Sequence, residues 1–175
     1  MCLLLGSAAS QVQRVDEDQV KAAYLYNFAK FVEWPATSFA GTDSSMLICS
    51  IGDERLAEAL QQTARGKQAQ GRAIEVRHVL ALDDLKSCRI LLIAFRDKER
   101  IAPILRSVQL ANTLTVGQSE EFIRLGGIIN LVRKENSIEL EINPNAAETA
   151  GLKISSRLLA VSRVVASPPG GGNRE

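Results

Sequence analysis

Few side chains in this 175-residue chain are of a kind that does covalent or metal chemistry, and their spacing decides what they can do. His78 is the only histidine. It lies inside the alternating run Ile74-Glu75-Val76-Arg77-His78-Val79, where a general base needs a nucleophile facing it. No serine or cysteine stands in a nucleophile-elbow context, so His78 reads as structural. One histidine with Cys49 and Cys88 falls short of a zinc site, and no metal is expected. Asp53, Glu54 and Asp97 are more suggestive. Carboxylates after the first and third strands of a doubly wound sheet are where a phospho-receiver gathers its magnesium and its acceptor aspartate. Yet Thr115-Val116-Gly117-Gln118 ends the fourth strand without a lysine. The dipole's preference for carboxylates at helix N-termini accounts for Asp53 and Asp97 more simply. Gly117, Gly126 and Gly127 form no GxGxxG opening a helix, which leaves a dinucleotide site without support. No catalytic residue and no cofactor is expected, and the chain reads as a non-enzyme.

The elements that position these residues alternate. Val20, Ala23, Tyr24, Phe28, Phe31 and Val32 recur at helical spacing over Asp16–Val32, and Pro35 ends that element. Trp34 and Phe39 are expected to cover a sheet edge. A strand at Met46–Ile51, a helix over 53–64, a loop over 66–71 and a strand over 74–79 follow. Cys88–Ala94 reads as a buried strand, followed by a helix over 97–107, a strand at Thr113–Val116 and a short helix over 120–125. Then Ile128-Ile129-Asn130-Leu131-Val132 and Ile138-Glu139-Leu140-Glu141-Ile142 flank a charged turn like the arms of a hairpin. Asn143-Pro144 stops the second arm, since proline cannot donate to a ladder. Beyond it, apolar residues from Leu152 to Val165 read as a last helix, with Gly151 as a break. The predicted fold is α/β, a doubly wound and mostly parallel sheet flanked by helices, with an antiparallel C-terminal hairpin.

Hydrophobic residues make up 46% and charged residues 23%, ordinary for one folded domain of this length. The net charge of +1 argues against a nucleic-acid binder. No stretch reaches the roughly 18 apolar residues of a membrane span. Residues 1–10 (MCLLLGSAAS) read as the end of a secretory signal, with small residues for cleavage, so the mature protein is expected to start near Gln11. Residues 11–167 form the expected single domain, and 168–175 (PPGGGNRE) a disordered tail. Export leaves Cys49 and Cys88 as an even pair in neighbouring strands, either bridged or packed as buried thiols.

Several strings are shared with a known family: KAAYLYNFAKFVEWP from Lys21 to Pro35, ICSIG from Ile48, Gly71-Arg72, CRIL from Cys88, LTVG from Leu114, and GGIIN, EIN and AGLKISS in the C-terminal part. Together they cover roughly residues 20–165 in order, and the chain resembles the YfiR-like family of periplasmic regulators. The resemblance implies a periplasmic repressor that docks on the periplasmic sensor domain of an inner-membrane, YfiN-type diguanylate cyclase. It would thereby lower cyclic di-GMP production and biofilm formation. It also implies an outer-membrane lipoprotein that sequesters the repressor, a homodimer, and a disulfide between Cys49 and Cys88, which match the family's paired positions. A second cysteine pair of some relatives is missing here, with Ile123 and Asn130 in that region. Carried over from the EIN and AGLKIS motifs, the partner-binding residues are Glu141, Ala147, Lys153 and Ser155. Glu141 would offer a charge, and Lys153 and Ser155 a small polar pocket beside it. The alternative is a periplasmic small-molecule sensor with its ligand at the sheet's switch point near Asp53 and Asp97.

Overall fold

The structure, a computed structural model, describes residues 8–165, with side chains from residue 17 onward apart from Asp83. The tail at 168–175 and residues 1–7 of the expected signal segment lie outside the described residues. The elements are α1 (Ala8–Phe31), β1 (Val32–Glu33), β2 (Met46–Ile51), α2 (Glu54–Ala64), β3 (Gln68–Ala69), β4 (Arg72–His78), β5 (Ile90–Ile93), α3 (Lys98–Val108), β6 (Leu114–Gly117), β7 (Ile129–Lys134), β8 (Ser137–Ile142), α4 (Pro144–Thr149), β9 (Lys153–Ile154), α5 (Ser156–Ala160) and β10 (Arg163–Val164). An eight-stranded sheet has the order β10-β8-β7-β6-β5-β2-β4-β3, and β1 pairs with β9 in a separate two-stranded sheet. In the large sheet, only β7/β8 and β3/β4 are antiparallel.

The central strands are apolar on both sides because both sides are covered. Met46 and Ile48 join Ile90, Leu92, Leu114 and Val116 in the core beneath α1 and α2. The alternate residues Leu47, Cys49, Ile51, Leu91 and Ile93 face the core beneath α3. Side chains of a strand alternate between faces, so a continuous apolar run is the signature of a doubly covered sheet. On α1, Ala22, Leu25, Phe28 and Ala29 are buried at helical spacing, and on α3, Ile101, Ile104, Leu105 and Val108. The predicted doubly wound architecture with its C-terminal hairpin is what the chain adopts.

Three local expectations change. The expected loop over 66–71 contains β3 and the two-residue turn of the β3–β4 hairpin, which puts Gln70 at φ 52° and Gly71 at φ 74°. Gln70 then reaches back to the end of α1, donating from Nε2 to the carbonyls of Ala29 at 2.8 Å and Val32 at 2.7 Å. Carbonyls in a helix's last turn lack intrahelical partners, and the amide supplies one. The short helix over 120–125 is instead a run of turns around Phe122. That ring fills the space where glycines 117 and 127 lack side chains; a Cβ on either would stand 2.2 Å from it.

The predicted last helix is the third change. Leu152 to Val165 divides into β9, α5 and β10. Ile154 pairs with Val32 and Lys153 with Glu33, and the Ser155 N–H donates to the Phe31 carbonyl at 2.9 Å. These long-range bonds hold the segment extended, and α5 begins only when the Ser155 hydroxyl accepts from the Leu158 N–H at 3.3 Å. Val165 donates to the Ile142 carbonyl at 2.8 Å, extending the sheet edge.

Candidate functional site

Cys49 and Cys88 are disulfide-bonded, with Cα atoms 5.8 Å apart. Both are fully buried on the α3 face of the sheet. Cys88 stands just before β5 rather than inside it, closing the turn Leu82–Ser87. The next residue, Arg89, is buried without a carboxylate partner among the described residues. Its guanidinium donates to the carbonyls of Lys86 at 2.7 Å, Ala111 at 3.2 Å and Ser87 at 3.4 Å. Burial lowers its pKa from the ordinary arginine value.

The titratable residues considered for chemistry are spent on structure. Asp53 Oδ1 accepts from the Leu56 N–H and Asp97 Oδ1 from the Arg100 N–H, each at 3.1 Å, so both are N-caps. Ser50 pairs with His78 across β2 and β4, but its hydroxyl donates to the Asp53 carbonyl at 3.0 Å. No nucleophile–base dyad forms there. Among the described residues, no group of histidine, cysteine, aspartate and glutamate is arranged to hold a metal ion.

Of the four residues expected at a partner surface, Lys153 and Ser155 lie together, with Ala147 in the adjoining helix, where its carbonyl accepts from the Leu152 N–H at 2.9 Å. Lys153 is exposed and Ser155 half-buried, on the strip formed by β9 and the start of α5. Ala147 is 2% exposed and packs in the core, so a partner would meet only its neighbours. Glu141 is 9% exposed. Its Oε2 accepts from Asn130 Nδ2 at 3.1 Å, and its Oε1 is ion-paired with Arg163. The cleft that Glu141 lines is bordered by neither Lys153 nor Ser155. Asn143 and Pro144 turn the chain into α4, which carries the later residues to the other sheet.

Glu141 instead lines a polar cleft of about 540 Å³ that sequence reasoning missed. It opens where β6 ends and α1 crosses β7. Lys21 Nζ donates to Gln118 Oε1 at 2.8 Å and pairs with Glu17 Oε1 at 2.7 Å. Arg133 reaches Glu17 Oε2 at 2.9 Å. The hydrogen bond from Lys21, with help from Arg133 and Arg96, holds the Glu17 carboxyl below the usual carboxylate range. Asn130 Nδ2 also donates to the Ser119 carbonyl at 2.9 Å. A signal for this cleft was present: Asn130 interrupts the apolar run Ile128-Ile129-Asn130-Leu131, and a polar residue in a buried strand needs partners.

Comparisons with known proteins bear on the whole fold. A family described as YfiR/HmsC-like matches residues 18–163. A crystal structure of a conserved domain protein from Vibrio cholerae superposes with a TM-score of 0.50 at 17% identity. That match covers 69% of this chain and 55% of the other, and at such identity it speaks for the fold alone. Among curated proteins, none matches the chain. No helix among the described residues is long and apolar enough to cross a membrane.

Proposed function

The chain belongs to the YfiR/HmsC-like family, and from that premise we propose that it is a periplasmic repressor. It binds the periplasmic sensor domain of an inner-membrane, YfiN-type diguanylate cyclase and holds the enzyme inactive, which lowers cyclic di-GMP output and limits biofilm formation. The observation that carries this reading is the extent of the family match, from Asp18 in α1 to Arg163 in β10. Repression of this kind needs no catalytic group. A bound protein shifts a two-state partner as far as it prefers one state over the other.

The docking surface in this reading is the strip from Lys153 to Arg157. Lys153, Ser156 and Arg157 are exposed there, and the strip is anchored to the end of α1 through β1. Two further parts of the proposal come from the family. An outer-membrane lipoprotein relieves repression by sequestering the protein, and the repressor acts as a homodimer. Val161 and Val164, 71% and 55% exposed at the open edge of the sheet, supply an apolar surface for the second copy.

The test is direct binding of the oxidised protein to the periplasmic domain of its host's cyclase, followed by biolayer interferometry. Saturable binding that Lys153→Gln weakens at unchanged melting temperature supports the reading. Absence of binding by folded, oxidised protein overturns it. Glu141→Lys is a poor probe of docking, because it removes an internal ion pair.

A further inference from the structure

The polar cleft beside Glu141 has unmet hydrogen-bonding capacity. Asn130 is 1% exposed, and its amide orientation is fixed, since Nδ2 faces two acceptors, the Ser119 carbonyl and Glu141 Oε2. Its Oδ1 is therefore an acceptor, and it is buried with no partner. The Ser119 hydroxyl, on a residue 8% exposed, is likewise buried and unpartnered. Both residues line the cleft. Buried polar atoms are nearly always paired, so two orphans on residues of one cleft point to something that pairs them.

The charge of the cleft narrows the chemistry. Lys21, Arg96, Arg133, Lys134 and Arg163 line it against three carboxylates. Lys21 and Arg133 engage Glu17, Lys134 engages Glu139 and Arg163 engages Glu141. Neither Arg96 nor Glu120 has an ion pair among the described residues, but the five cations outnumber Glu17, Glu120, Glu141 and the Lys134 partner Glu139, and Arg96 lies near enough to act on the Glu17 carboxyl. An occupant should thus bring a negative charge for Arg96, together with a donor for Asn130 Oδ1. A carboxylate alone lacks the donor, and a neutral polyol lacks the charge.

We propose that this cleft binds a small sugar acid, with its carboxylate toward Arg96 and its hydroxyls donating to Asn130 Oδ1 and meeting the Ser119 hydroxyl. At about 540 Å³ the space falls within the usual range for small-molecule sites. The site is distinct from the Lys153–Arg157 strip and stands whether or not a cyclase is the partner.

The experiment is isothermal titration of the full oxidised chain at low ionic strength with D-glucuronate, D-glucose and acetate as probes. The expected result is saturable binding of D-glucuronate and none of D-glucose or acetate. Arg96→Gln, at an exposed position, should weaken D-glucuronate binding about tenfold. Ser119→Ala should also weaken it, while leaving the melting temperature unchanged or higher, because the variant removes an unpaired buried hydroxyl. That combination separates a ligand contact from a structural role. Equal binding of acetate and D-glucuronate overturns the assignment in favour of a general anion site. Binding untouched by both variants places the ligand elsewhere, and no binding of any probe leaves ordered water as the occupant; either result overturns the proposal.

Discussion

Glu141 and Lys153 are both charged residues of the C-terminal part, and both sit in strings that the family resemblance singles out. The structure gives them opposite situations. Glu141 stands on the second arm of the hairpin with both carboxylate oxygens engaged, Asn130 on one and Arg163 on the other. Lys153 stands on a two-residue strand with its side chain in solvent. A charge that is already answered inside the molecule contributes to stability, whereas a charge held out on a firm backbone is available to another molecule. The same motif block thus contains a charge paired inside the molecule and an exposed one, and burial tells them apart.

Substitutions can break this contrast at different depths. The largest effect is expected from Gly117→Val, which drives a side chain into the Phe122 ring behind the cleft wall. Overpacking of a dense core costs about 1–3 kcal/mol, and a β-branched side chain against an aromatic ring belongs at the upper end. Urea denaturation should show that loss, while the Lys153 strip keeps its protection in amide exchange at mild temperature. Next comes Glu141→Lys. It leaves Arg163 unpaired and sets a cation against Asn130 Nδ2, for a loss of about 2 kcal/mol, moderated because Arg163 is itself 61% exposed. If Glu141→Lys unfolds at the wild-type urea midpoint, the contrast drawn here is wrong. Lys153→Gln, which avoids setting a like charge opposite Glu33 across β1 and β9, should change stability by no more than about 0.5 kcal/mol and show its effect only in partner binding.

The smallest effect concerns acid. Glu17 has a folded-state pKa below its unfolded value, so its contribution is present above about pH 4.5 and is lost as pH falls through the lower, folded value. Its neighbour Asp18 runs the other way. Burial, followed by the charge of Asp53, raises its pKa, so ionising it on the way to neutral pH costs stability in the folded state. Urea midpoints of Glu17→Gln, measured from pH 6 to pH 3, should therefore fall less steeply than those of the wild type. An unchanged slope would remove Glu17 from the cleft's electrostatics.

Much of the fold was legible because its signals are local. Apolar runs such as Met46–Ile51 and Ile90–Ile93 demand cover on both faces, and the helices between them carry clear three- and four-residue spacing. The last segment was not legible for the opposite reason. The apolar residues from Leu152 to Val165 suit a helix, but the outcome is decided by hydrogen bonds to Phe31 and pairing with Val32, far away in sequence. The hairpin before β4 was hidden because a glutamine occupies a positive-φ position that sequence reading reserves for glycine or asparagine. The disulfide partners were foreseen from cysteine count, compartment and the family's paired positions. The cleft was not, since Lys21, Gln118, Ser119 and Asn130 come from separate elements and only Asn130 looks out of place in its own segment. The placement of Lys153 and Ser155 together on one strip follows from β9, an element no periodicity announced.

The bridge between Cys49 and Cys88 spans 39 positions of sequence. Everything between them, including α2, the β3–β4 hairpin and exposed Leu80, belongs to a covalent ring. A protease that cuts once within that ring opens it without releasing a fragment. The nicked molecule keeps its mass on a non-reducing gel and splits in two only when reductant is added. In an environment rich in proteases, a cut beside the exposed Leu80 would leave two pieces still travelling as one protein.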